Sequence, residues 1–148
     1  MDWTCPTCSK TFKRTNQAHK CFTGASPELA FPGTKAKWLP LYHVLLECVK
    51  AQASFTCDYP PSGGALWRRR SIFASMHGET KGLYVNFHSD LRLAIEGLIT
   101  VEPISAHRLL HIVCFDDPDR VPEIAGYIVA SYLLTEQSGQ TRIGGDPA

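Results

Sequence analysis

Leu41, Leu45, Cys48 and Val49 recur at helical spacing just after Pro40. That stripe predicts a helix from near Trp38 to near Ala53, with Pro40 in the first turn, where its missing N–H costs nothing. The period then shortens. Phe55, Cys57 and Tyr59 alternate with Thr56 and Asp58, as in a strand buried on one side. Pro60-Pro61-Ser62-Gly63-Gly64 reads as a turn, and Ala65 to His77 is apolar and aromatic at both ends around Arg68-Arg69-Arg70. After a turn at Gly78-Glu79-Thr80, Leu83, Val85 and Phe87 alternate with Tyr84, Asn86 and His88. Beyond a break from Ser89 to Gly97, the runs Leu98–Ser105 and Arg108–Phe115 are short and rich in branched residues, which predicts strands. The period lengthens again at the end, where Ile124, Ile128, Ser131 and Tyr132 mark one face of a helix running through Leu134. Asp116, Asp117 and Asp119 before it, Pro122 in its first turn and Glu123 near its positive end all suit a helix start.

Helix, several strands, helix predicts an α+β domain over residues 37–137, a mostly antiparallel sheet with two helices flanking one face. Residues 24–36, holding Gly24, Ser26, Pro27, Pro32 and Gly33, read as a linker with little regular structure. Residues 138–148 read as a disordered tail, since Ser, Gly, Gln, Asp and Pro dominate there. The chain's 148 residues, 44% hydrophobic and 20% charged, suffice for one core without disulfides. No apolar run is long enough for a membrane helix, and no apolar stretch behind a basic start resembles a signal peptide. These features predict a cytoplasmic protein with no membrane partner, whose cysteines stay reduced. Cys48, Cys57 and Cys114 sit in apolar segments and are expected to fill core.

Residues 1–23 carry a different chemistry. Cys5, Cys8, His19 and Cys21 are four soft ligands in 21 residues. A Cys-x-x-Cys turn grips a cation with two thiolates, and His19-x-Cys21 supplies the remaining corners. Thiolate with imidazole at tetrahedral spacing favours zinc over hard cations. Four protein ligands leave no open position, so the zinc is expected to be structural. The segment is also basic: Lys10, Lys13, Arg14 and Lys20 against Asp2 give +4 − 1 = +3, and the remaining eleven basic and thirteen acidic residues give −2. Such a module suits a phosphate or acidic partner, with those four cations as candidate phosphate contacts for nucleic acid or as docking groups for an acidic protein.

In the body, Arg68 and Arg70 would share one face of a strand and Arg69 the other. Guanidinium forks suit phosphate or carboxylate, while a charged edge strand is also protected against unwanted pairing. His107, Arg108 and His111, with His88 on a neighbouring strand, form a second cluster. Histidine can move protons at neutral pH or form hydrogen bonds within the sheet. His107 and His111 are too far apart along a strand to chelate one ion.

Two resemblances follow from these motifs. Trp3-Thr4-Cys5-Pro6-Thr7-Cys8-Ser9-Lys10-Thr11-Phe12 looks like the first hairpin of a Cys-Cys-His-His zinc finger. Cys21 stands where that family usually places its first histidine, and the second histidine is missing. The Cys-x-x-Cys start with Phe12, Arg14, Asn16, Gln17, His19 and Cys21 resembles an N-terminal extension in the bacterial family called domain of unknown function 5655. Ile72-Phe73-Ala74, Lys81-Gly82-Leu83-Tyr84-Val85, His111-Ile112-Val113 and Ser131-Tyr132 resemble strands and closing helix of that domain, so that the likeness spans residues 3–134. It implies the α+β fold more than any function.

The resulting expectation is an uncharacterised zinc-binding protein. A structural zinc module is tethered to an α+β domain that binds a ligand or partner without transforming it, through Arg68, Arg70, Tyr84, His88, Arg108 and His111. Two other readings stand beside it: a nucleic-acid accessory protein touching phosphates through the zinc module, and a small enzyme using His88 or His111 as acid or base.

Overall fold

The computed structural model describes residues 2–5, 11–17 and 26–143, with side chains as far as Thr135. At the N-terminus β1 (Trp3–Thr4) pairs antiparallel with β2 (Thr11–Phe12), placing Trp3 opposite Phe12 with ring centroids 6.1 Å apart. Cys5 follows β1 and is buried. Cys8, His19, Cys21, Lys10 and Lys20 lie outside the described residues.

The segment expected as a linker is partly structured, and the reason is local. Ser26 caps α1 (Pro27–Ala30), its Oγ accepting from the Glu28 N–H at 3.2 Å, and Pro27 takes the first turn. A 3-10 helix, Gly33–Trp38, then leads into α2 (Leu39–Lys50). Ala30 and Phe31 are buried in the core, where the Phe31 ring lies 5.2 Å from Tyr42. The domain therefore begins near Ser26, not at residue 37. Phe31, inside a Pro/Gly-rich stretch, is the apolar anchor of this segment.

Six strands follow: β3 (Thr56–Asp58), β4 (Ala65–Arg68), β5 (Ile72–Gly78), β6 (Leu83–Ser89), β7 (Leu98–Ser105) and β8 (Arg108–Phe115). They form one antiparallel sheet in the order β3-β4-β5-β6-β8-β7. The run Ala65–His77 is two strands, because the chain turns at Arg69–Ser71. Only Arg68 of the arginine triplet is therefore in a strand. A second 3-10 turn, Pro118–Arg120, is capped by the Asp117 carboxylate accepting from the Asp119 N–H at 2.9 Å. It precedes α3 (Val121–Ile143), which runs six residues into the stretch expected as a tail. None of the described helices is long and apolar enough to cross a membrane.

Strand alternation divides the sheet into two faces. One register row runs Cys57, Trp67, Ala74, Phe87, His111, and another Ala65, Met76, Val85, Val113. From Trp67 and Ala65 onward both rows are buried, and with α2 and α3 they make a single core. Tyr42 of α2 reaches into it: its hydroxyl accepts from Trp67 Nε1 at 3.0 Å and meets the Tyr59 hydroxyl at 2.9 Å. Burial raises the Tyr42 phenol pKa and pushes that of Tyr59 up to about 12. Ser131 latches α3 to the sheet, donating to the Phe73 carbonyl at 2.6 Å and accepting from the His88 N–H at 2.9 Å. Both helices thus cover one face.

Candidate functional site

The other face carries the alternate residues. A row across all six strands reads Asp58, Leu66, Ser75, Asn86, Ile112, Thr100, and beside it lies the row His77, Tyr84, Cys114. Apart from Asp58, every one of these side chains is part-exposed, and no described helix lies over them. On a one-layer α+β sheet this is the surface left for water or a partner.

The chain is hollowed where β4 starts and β5 ends. A cleft of about 280 Å³ there is lined by Pro32, Lys35, Ser62, Leu66, Ser75 and His77, among others. Gly63 and Gly64, with φ of 100° and 79°, turn the chain at its floor. A Cβ on Gly64 would stand 3.0 Å from the Met76 carbonyl oxygen, so glycine is required there for both reasons. The Gly64 N–H donates to the Ala30 carbonyl at 3.0 Å, which ties α1 to the cleft. A neighbouring hollow of about 310 Å³ shares Lys35 and adds Thr34, Lys37, Glu79 and Thr80. The two hollows and the strand face are contiguous through Lys35 and His77. His77 itself pairs with Glu79 at 3.1 Å, and its ring lies 5.2 Å from that of Tyr84 on the next strand.

The expected surface residues divide between the faces. Tyr84 and Arg68 lie on the uncovered face, and Arg68 is paired there with Asp58. Arg70 is exposed in the β4–β5 turn, while Arg69 donates to the Tyr132 hydroxyl at 2.6 Å. His88 also belongs to the uncovered side, half-buried, with its pKa lowered by burial and then by Arg108 at the start of β8. His107 is exposed in the β7–β8 turn, away from any cluster.

His111 does not belong with them. It is fully buried on the helix-covered face, stacked on Phe87 at 5.4 Å with 6° between the planes. Its Nε2 accepts from the Leu93 N–H at 3.0 Å, holding the chain between β6 and β7 against the sheet. Burial depresses its pKa, so the neutral ring is favoured. With its one lone pair occupied and no exposed surface, His111 is a core hydrogen-bond acceptor rather than a general base. The signal was present in the chain: His111 shares the two-residue phase of Val113 and Phe115, and that phase is the buried one. The same alternation would have named Leu66, Ser75, His77, Asn86 and Ile112 as face residues.

A separate hollow of about 240 Å³ lies between α3 and the end of β6, lined by Phe87, Ser89, Asp90, Leu93, Tyr127 and Leu133, among others. Among the described residues no three His, Cys, Asp or Glu side chains are grouped to hold a metal ion. Within the acidic run Asp116, Asp117, Asp119 and Glu123, Asp117 caps the 3-10 turn before α3 and Glu123 pairs with Arg120 at 3.0 Å. Burial raises the Cys57 and Cys114 thiol pKa values, which keeps them protonated.

In comparisons with known proteins, no family model matches this chain. Neither a curated protein nor a solved structure matches it.

Proposed function

We propose that the protein is a binding protein, in which a structural zinc module accompanies an α+β domain whose uncovered sheet face takes the ligand or partner. The observation that carries this reading is the asymmetry of the sheet. One face is sealed by α2 and α3, while the other keeps aromatic, apolar and amide side chains half-exposed beside a shaped cleft. A surface of that composition is the ordinary place for recognition on a one-layer α+β fold. The resemblance to the domain of unknown function 5655 enters the proposal as a family reading, on the residues quoted for it.

Zinc would be held by Cys5, Cys8, His19 and Cys21. Burial of Cys5 and the antiparallel pairing of Thr4 with Thr11 support a metal knuckle at that point. The metal would supply folding energy to a segment too short for a core of its own. Purified protein is expected to hold about one zinc per chain, and the Cys8→Ser variant to lose most of it. Full zinc retention in that variant, measured by mass spectrometry, removes the assignment.

The binding face has its own test. Tyrosine nitration and histidine acylation should reach Tyr84 and His77 in purified protein and be blocked in a lysate of the cells that make it. Equal labelling in both settings overturns the reading.

A further inference from the structure

The connection between β6 and β7 is fastened in two unlike halves. In its second half the Gly97 carbonyl accepts from the Cys114 N–H at 2.9 Å and the Glu96 carbonyl from Arg120 Nη1 at 2.9 Å, while Ile95 is buried. Its first half, Asp90 to Ala94, is exposed except at Leu93, whose side chain packs against the core. The Leu91 N–H turns back onto the adjoining Ser89 Oγ at 3.1 Å. Among the described residues, one hydrogen bond ties this half to a more distant part of the sheet, the Leu93 N–H donating to His111 Nε2 at 3.0 Å. The same half supplies Asp90 and Leu93 to the lining of the 240 Å³ hollow between α3 and the end of β6.

A single lone pair therefore holds the segment down. Nε2 accepts only while it carries no proton, so the ring is the tautomer protonated on Nδ1. A proton arriving on Nε2 sets a second N–H against that of Leu93, and the bond becomes a repulsion between donors. The ring planes of His111, Phe87 and Tyr127 lie within 6° from each to the next, and the last two line the hollow. Around His111 the loop brings Arg92, β6 brings Phe87, β7 brings Val101, and α3 brings Tyr127 through Phe87. Burial opposes the imidazolium most, the Leu109 backbone favours it, and the Arg92 charge opposes it. The proton accordingly binds below the ordinary histidine value of about 6.5.

From this geometry we infer that Asp90–Ala94 is a proton-operated strap: protonation of His111 releases Leu93 from the sheet and opens the hollow, while the Ile95–Gly97 half stays anchored. At neutral pH the strap is closed, and acid uncovers the apolar wall made by Phe87 and Tyr127. The device lies on the helix-covered side and goes beyond the reading of the uncovered face.

Amide exchange and imidazole titration, followed together by NMR in the full-length protein, test this. Leu93 protection, corrected for the intrinsic pH dependence of exchange, should fall by about 5- to 100-fold in acid, the effect of stranding one part-buried donor. The midpoint of that fall should coincide with the titration of the His111 ring, and Val113 on the same strand should stay protected. Fluorescence of an added anilinonaphthalene sulfonate dye should rise over the same range as the hollow opens. His111→Gln retains an acceptor that does not titrate, and should abolish both changes. His88 also borders the hollow and has a lowered pKa, so His88→Gln should leave both in place.

Simultaneous loss of Leu93 and Val113 protection is global unfolding and overturns the inference. A Leu93 midpoint displaced from the His111 titration overturns it, as does an unchanged acid response in His111→Gln or its disappearance in His88→Gln. A dye signal that stays flat through the His111 titration removes the opening of the hollow. Where His111→Gln does not fold, the two midpoints measured in the wild-type chain decide alone.

Discussion

The two faces of the one sheet are built from the same strands and nearly the same residue types, yet they are buried to very different degrees. On the covered face, Trp67, Ala74, Phe87 and His111 are at most 2% exposed. On the uncovered face, Leu66, Ser75, Asn86 and Ile112, one residue away on each strand, all stay part-exposed. Composition does not separate them, because each face includes apolar, aromatic and histidine residues. Helix placement does. A side chain under α2 or α3 is sealed into the core, and one on the opposite side stays in contact with solvent. A histidine can therefore be structural at 111 and part of a surface at 77.

Substitutions can break this contrast, beginning with the largest effect. Trp67→Ala removes the largest fully buried side chain and the donor to Tyr42, and should cost about 3–5 kcal/mol. Ile112→Ala on the uncovered face should cost about 1 kcal/mol or less, since part of its side chain is already in water. Urea unfolding of both variants checks the difference. Equal losses would mean that the second face is also core.

Ser131→Ala sharpens the contrast at the point where α3 is fastened. Its hydroxyl serves the Phe73 carbonyl and the His88 N–H together, so removal strands two backbone groups and should cost about 1–3 kcal/mol. Faster amide exchange at His88, with Val113 unchanged, would locate the loosening at the α3 contact. A silent substitution would show that the latch is not under load.

The smallest effect expected is a pH dependence of stability. His111 and His88 both have lowered pKa values, burial being the chief cause in each. The fold therefore favours neutral imidazole, and the unfolded chain binds more protons in mild acid. Their contribution is complete above the unfolded histidine value of about 6.5 and is lost as pH falls below it. His111→Gln keeps an acceptor for the Leu93 N–H without titrating, so its melting temperature should fall less between neutral and mildly acid pH. An identical fall in wild type and variant would assign the acid loss elsewhere.

Local periodicity made most elements legible. The α2 stripe, the alternation in β6, the β7 and β8 runs and the start of α3 all follow from side-chain spacing, which is a property of the chain itself. At two places local pattern and tertiary structure disagree. Phe31 was hidden because Pro32 and Gly33 mark its surroundings as loop, although the chain there is a short helix resting on the core. Nothing in Arg68-Arg69-Arg70 announces a turn, so its pattern predicts a continuous strand, yet the register shifts between Trp67 and Arg68 and the chain reverses.

The sequence by itself determined which residues share a face: Leu83, Val85 and Phe87 on one side, Tyr84, Asn86 and His88 on the other. It also carries the spacing of Cys5, Cys8, His19 and Cys21 on which the proposed zinc site rests. It did not determine which of two mixed faces would be buried. That depended on α2 and α3 docking on the same side, through Tyr42 onto Trp67 and through Ser131 onto the backbone of Phe73 in β5 and His88 in β6. Alternation is local backbone geometry with a period of two residues, whereas burial depends on contacts between segments far apart in the chain. The position of His111 in the core and of Tyr84 beside His77 on the free surface were decided at that second level.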